Sequence, residues 1–111
     1  MARAGLLMLL GGMVFGGWLA ARWLRRQPVR RHLGFIHGGL VSSGWAVLVA
    51  AAFAGGQGKL FNSGLLLATM ALIGGLFVFG FRISRQPPPL FMILLHAGFA
   101  VAGAVLMVMS G

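Results

Sequence analysis

Arg26-Gln27-Pro28 recurs 59 positions later as Arg85-Gln86-Pro87. The same shift lays His37 on His96, Gly39 on Gly98 and Gly44 on Gly103. It also matches Gly5-Leu6-Leu7 with Gly64-Leu65-Leu66, Gly16 with Gly75, and Val49 with Val108. Glycine and leucine coincide often in a chain with 19 Gly, so those matches carry little weight alone. The Arg-Gln-Pro triplet and the histidine pair weigh more, because the chain has only 3 His and 4 Pro. Residues 1–52 therefore read as a copy of residues 60–111. An internal repeat governs the reading of the whole fold, and here it puts two histidines at equivalent places in two halves.

Composition says what kind of halves these are. Of 111 residues, 59% are hydrophobic and 8% charged, with a mean hydropathy of +0.98. Soluble domains are about half apolar and about a quarter charged, so this chain belongs in a membrane. All nine charged residues are Lys or Arg, and there is no Asp or Glu. Basic residues can mark nucleic-acid binding, but here they bracket apolar runs, as topology signals do; no nucleic-acid partner is expected. Without cysteine there is no thiolate metal site and no c-type haem attachment. Hydrolytic and acid–base catalysis lack their usual groups, since no carboxylate or thiol exists to complete a triad.

Four apolar runs are long enough to span: about Gly5–Ala21, Leu33–Ala54, Leu60–Phe81 and Leu90–Ser110. Each approaches the roughly 20 residues that cross a hydrocarbon core. The first run, with Arg3 ahead of it and Leu19-Ala20-Ala21 behind, has the look of a signal peptide. Its counterpart, run three, cannot be one, so the first run is read as a retained helix. The expected fold is all-α: a polytopic four-helix membrane bundle made of two tandem helical hairpins. Residues 1–111 form one transmembrane domain, with repeat one at 1–54, a link at 55–59 and repeat two at 60–111. Short connections make neighbouring helices antiparallel, and Pro28 and Pro87–Pro89 suit turns. Arg22, Arg25, Arg26, Arg30, Arg31, Arg82 and Arg85 fall on one side; Arg3 and Lys59 fall on the other. The positive-inside rule then puts both termini outside the cytoplasm, and the expected location is a bacterial inner membrane. Two hairpins of one orientation make a parallel repeat about an axis along the membrane normal.

Such a repeat puts His37 and His96 at one depth, roughly 9 Å below the arginine-side end at 1.5 Å per residue. In an up-down bundle their helices are diagonal, and adjacent axes 8–10 Å apart give a diagonal of about 12–14 Å. The two side chains are not expected to touch across it. They can ligate one iron atom from opposite faces of a porphyrin. Val41 and Gly44, and on the other helix Ala100 and Gly103, follow the histidines on the same face and leave space for a flat ring. Gly16 and Gly75 fall near the same level on helices one and three, where a ring edge would press on backbone. Gly39 and Gly98 point elsewhere and suit helix packing. A haem b also has two propionates, for which Arg26 and Arg85 are the repeat-matched partners. The competing reading is that a lone intramembrane histidine merely bonds to a neighbouring helix carbonyl. The arginine cluster likewise reads first as a topology determinant with anionic lipid contacts. His32 has no counterpart and sits among arginines, so it is read as interfacial.

On Ile36-His37-Gly38-Gly39 and Leu95-His96-Ala97-Gly98, each seven residues ahead of an in-face glycine, the chain resembles the bis-histidine, four-helix b-type cytochromes of bacterial membranes. That resemblance implies one haem b ligated by His37 and His96. It implies one-electron transfer with a partner respiratory protein or a quinone, within a larger redox membrane complex or a homo-oligomer, rather than an enzyme acting by itself. Larger diheme members carry two histidines per ligand helix, and here each helix has one. The alternative is a haem-free accessory or structural subunit of a larger membrane complex. Two transporter readings fail. Small multidrug exporters need a carboxylate in the first helix. Fluoride channels share a glycine-rich start like Gly11-Gly12-Met13-Val14-Phe15-Gly16-Gly17 but need a Thr-Thr-Phe-Ser run that is missing here.

Overall fold

The computed structural model describes residues 1–111 and contains four helices and no strand. They are α1 (Ala2–Leu24), α2 (Arg31–Ala54), α3 (Lys59–Ile83) and α4 (Leu90–Ser110). All four are long and apolar enough to cross a membrane. The first three extend past their hydropathy-defined runs, α1 gaining Arg22 and α3 gaining Arg82, while α4 keeps the bounds of its run. Hydrogen bonding does not stop at the last apolar residue, and arginine stems can lie along the bundle while their heads reach the polar boundary. The molecule is 43 Å long and about half as wide, consistent with upright spans across a bilayer.

The termination signals act as expected. Pro28 follows α1, and Pro87–Pro89 separate α3 from α4, with Pro89 capping α4. Gly55 and Gly56, at φ 88° and 83°, end α2 in a conformation only glycine adopts freely. Arg82 donates to Val29 O at 3.2 Å, which ties the first hairpin's loop to the second hairpin and puts both arginine loops at one end.

Packing is closest within the two hairpins, α1 with α2 and α3 with α4, and lighter between them. The close pairs turn on glycine. A β-carbon on Gly64 would lie 2.6 Å from Gly103 O, and one on Gly103 would lie 2.6 Å from Gly64 O. Gly5 and Gly44 face each other similarly, at 3.0 Å each way. Backbones thus meet directly, which drives helix association where water supplies no hydrophobic force. Leu9, Leu48, Ala51, Phe61, Leu65, Ala68 and Met107 fill the core around these crossings.

That core occupies the end of the bundle that holds the termini. On α2 the first buried residue is Gly44, and on α4 it is Gly103, about two turns beyond the histidines in each case. On α3 no residue after Ala71 is buried. The arginine half thus has few buried residues, Leu19 on α1 and Pro88 in the loop.

Candidate functional site

The site begins with two backbone carbonyls. In an α-helix each C=O accepts from the N–H four residues on, and a side chain at that position partly covers it. Gly16 and Gly75 leave Gly12 O and Ala71 O uncovered. His37 Nδ1 donates to Gly12 O at 2.9 Å, and His96 Nδ1 donates to Ala71 O at 2.7 Å. Both bonds reach back 25 residues, from the second helix of a hairpin to the first. A carbonyl can only accept, so each Nδ1 carries a proton, and in the neutral tautomer this leaves the lone pair on Nε2.

The rings press into the space the glycines vacate. A β-carbon on Gly16 would lie 2.5 Å from His37 Cε1, and one on Gly75 would lie 2.8 Å from His96 Cε1. Gly16 and Gly75 thus seat the imidazoles, and do not stand open for the edge of a cofactor ring as expected from register. Gly44 and Gly103 are also reassigned, because backbone from α1 and α3 fills the space beside them. Val41 packs into Gly12, where its Cγ1 would meet an added β-carbon, so it too belongs to the α1–α2 contact. Ala100 is half-buried one turn beyond His96. Gly39 and Gly98, expected at a helix contact, face open space and are exposed.

The two half-buried rings approach more closely than a simple diagonal suggests. Their centroids are 6.3 Å apart and their planes are perpendicular, at 89°. Each imidazole reaches away from its own helix to the facing helix of its hairpin, and this carries the two rings near each other. Phe15 lies nearly parallel to His37 at 6.3 Å, while on the other side Gly74 lies against His96 Cβ. The two rings thus have unlike surroundings despite like hydrogen bonds. Neither Nε2 has a hydrogen-bond partner, yet no buried polar atom lacks one. Both Nε2 atoms therefore open onto accessible space. The bland reading of an intramembrane histidine accounts for one nitrogen of each ring and leaves the other unused.

Two imidazoles are the whole donor set: nowhere do three or more His, Cys, Asp or Glu side chains gather. Structural and catalytic zinc sites take three or four protein ligands, which this site lacks. Two metal–imidazole bonds of about 2 Å, with the half-width of each ring added, span roughly 6 Å between centroids. The observed separation matches that span.

The arginines assigned by register do not join this cluster. Arg26 and Arg85 are exposed in the turns that end α1 and α3, and no hydrogen bond links them to the imidazoles. His32 is exposed in the first turn of α2, as its arginine-rich context suggested. Sequence reasoning missed Phe15, Gly12 and Ala71. Gly12 and Ala71 act through backbone and have no side-chain signature; the signal that would have found them is a small residue one turn before each seating glycine. A second polar contact, from Trp45 Nε1 to Thr69 Oγ1 at 2.8 Å, joins α2 to α3 and satisfies both groups inside the bundle. Comparisons with protein-family models, curated proteins and solved structures gave no match to the chain.

Proposed function

We propose that this chain is a membrane b-type cytochrome that holds one haem b between His37 and His96 and passes single electrons. The observation that carries the proposal is the pair of unbonded Nε2 atoms on rings fixed by their Nδ1 protons and 6.3 Å apart. Hydrogen bonding of the distal ring nitrogen orients a metal-bound imidazole and raises its basicity. Haem suits a two-residue donor set because the macrocycle supplies the remaining nitrogens. When bound, the haem supplies the one-electron couple. The chain's part would be to hold the iron through His37 and His96, each ring oriented by its Nδ1 bond to a helix carbonyl. If His37 and His96 both held the iron, oxygen and carbon monoxide should bind poorly.

Three further readings belong to the proposal. The halves arose by duplication of a hairpin; support comes from the 59-residue register shared by the Gly12 and Ala71 acceptors, the Gly16 and Gly75 seats, and the Gly5–Gly44 and Gly64–Gly103 crossings. The arginine end faces the cytoplasm of a bacterial inner membrane, on the seven-to-two division of positive side chains. Electrons pass to or from a respiratory partner protein or a quinone, since no second redox group fits in so small a chain.

The test is spectroscopic. Purified protein expressed with ample haem should give a reduced-minus-oxidised b-type spectrum with low-spin, six-coordinate iron. His37→Ala and His96→Ala should each abolish the low-spin signal. Colourless protein would overturn the haem assignment in favour of a haem-free accessory subunit. Rapid carbon monoxide binding to the reduced protein would overturn the electron-carrier role.

A further inference from the structure

The ends of α1 and α3 are built alike and around an unusual residue. Gln27 N–H donates to Arg22 O at 2.9 Å and Arg26 N–H to Trp23 O at 3.0 Å. Gln86 N–H donates to Phe81 O at 2.9 Å and Arg85 N–H to Arg82 O at 3.1 Å. These bond pairs make a Schellman motif, whose left-handed residue is usually glycine. Here that residue is arginine both times, with φ 58° at Arg26 and 59° at Arg85. A side chain in this conformation is strained where glycine would not be. What each turn gains from arginine over glycine is a positive charge on a long arm.

Neither charge is used inside the protein. Arg22 donates twice to Pro28 O, at 2.8 and 3.2 Å, and Arg82 donates to Val29 O. Those two arginines brace the loop. Arg26 and Arg85 make no side-chain hydrogen bond, and a chain without Asp or Glu offers them no carboxylate side chain. Beside each turn lies an open cleft. One, of about 570 Å³, runs along Trp23 and Leu24 to Arg26 and Gln27. The other, of about 340 Å³, runs along Leu76, Phe77 and Phe81 to Ser84 and Gln86, the chain neighbours of Arg85, which itself stands outside the cleft's lining. At Trp23, Leu24 and Arg26 an apolar wall lies beside an arginine that makes no side-chain hydrogen bond, which matches a lipid acyl chain ending at a phosphate, bound by arginine through two parallel hydrogen bonds; Arg85 shares the turn and the free side chain, one residue from its own cleft.

We propose that Arg26 and Arg85 each bind the phosphate of an anionic phospholipid, making two lipid sites on the arginine side of the bundle. This does not rest on the haem assignment. It replaces the propionate role that register alone gave these two residues.

The probes are dioleoylphosphatidylglycerol and dioleoylphosphatidylcholine, offered in equal amounts to the protein as purified in neutral detergent, with or without haem, and bound lipid is counted by native mass spectrometry. Wild type should prefer the anionic lipid, by roughly fivefold per arginine. Arg26→Gly with Arg85→Gly should bring binding towards parity, while the thermal midpoint without added lipid holds or rises as the strained turns relax. Arg26→Lys with Arg85→Lys should keep the preference. Arg25→Gln with Arg30→Gln, in the same cluster but outside the motif, should also keep it. Equal binding of the two lipids by wild type would overturn the proposal. So would a preference that survives the glycine pair, or one lost equally in the Arg25 and Arg30 pair. The haem midpoint potential of the glycine pair separates the rival anion: a shifted potential with lipid preference intact would return both arginines to the propionates.

Discussion

Gly16 and Gly75 have the sharpest consequences of any single residues. The added β-carbon at either would meet an imidazole, not a free side-chain end, because the ring is held by its bond to the carbonyl one turn back. Gly16→Ala or Gly75→Ala should expel the ring and break its Nδ1 bond. The expected outcome is loss of the low-spin haem signal with helical circular dichroism unchanged. Gly39→Ala and Gly98→Ala, which meet nothing, should leave both measurements as they were. Thr69→Val removes the acceptor for Trp45 Nε1. It should lower unfolding stability in detergent by about 1 kcal/mol, the usual net worth of one hydrogen bond, without changing the haem spectrum.

At the scale of the element, the hairpins are held by backbone contact, and the two are not equally tight. The β-carbons missing from Gly64 and Gly103 would each meet a carbonyl at 2.6 Å, against 3.0 Å for the Gly5 and Gly44 pair. Backbone cannot rotate away as a side chain can. Gly103→Ala should push α4 off α3 and cost about 1–3 kcal/mol, the range for overpacking. Gly44→Ala should cost less, because α1 needs to yield by only a few tenths of an ångström. Thermal unfolding of the two variants in one detergent checks the order. A larger loss for Gly44→Ala would mean that the crossings do not limit stability.

Across the whole molecule, the burial gradient sets the behaviour. One half holds the packed core, from Leu9 and Leu48 to Phe61 and Met107; the other holds two imidazoles among few buried residues. Local opening follows low contact density. Without haem, amides at 33–40 and 92–99 should exchange faster than those at 44–51 and 103–107; haem loading should protect the first group selectively. Protection spread evenly over both halves would count against a cofactor at the histidines. The orientation is testable at two loops. With cysteine at Gln57 and at Gln27, impermeant labelling of intact cells should reach 57 and spare 27. The reverse pattern would turn the bundle over.

The sequence by itself determined the four helices, their boundaries to within a few residues, and the clustering of the arginine loops at one end. Hydropathy, proline and the absence of acidic residues act locally and need no knowledge of packing. It also singled out His37 and His96, since ionisable residues in apolar runs are conspicuous. The tertiary structure alone decided which nitrogen each histidine spends, how near the rings come, and what each glycine faces. Register along a helix gives depth and an approximate face. It does not say whether a small residue admits a ring, as at Gly16, a backbone, as at Gly103, or nothing, as at Gly98. That choice depends on the approach of a second helix, which Gly64 and Gly103 fix in one hairpin and Gly5 and Gly44 in the other.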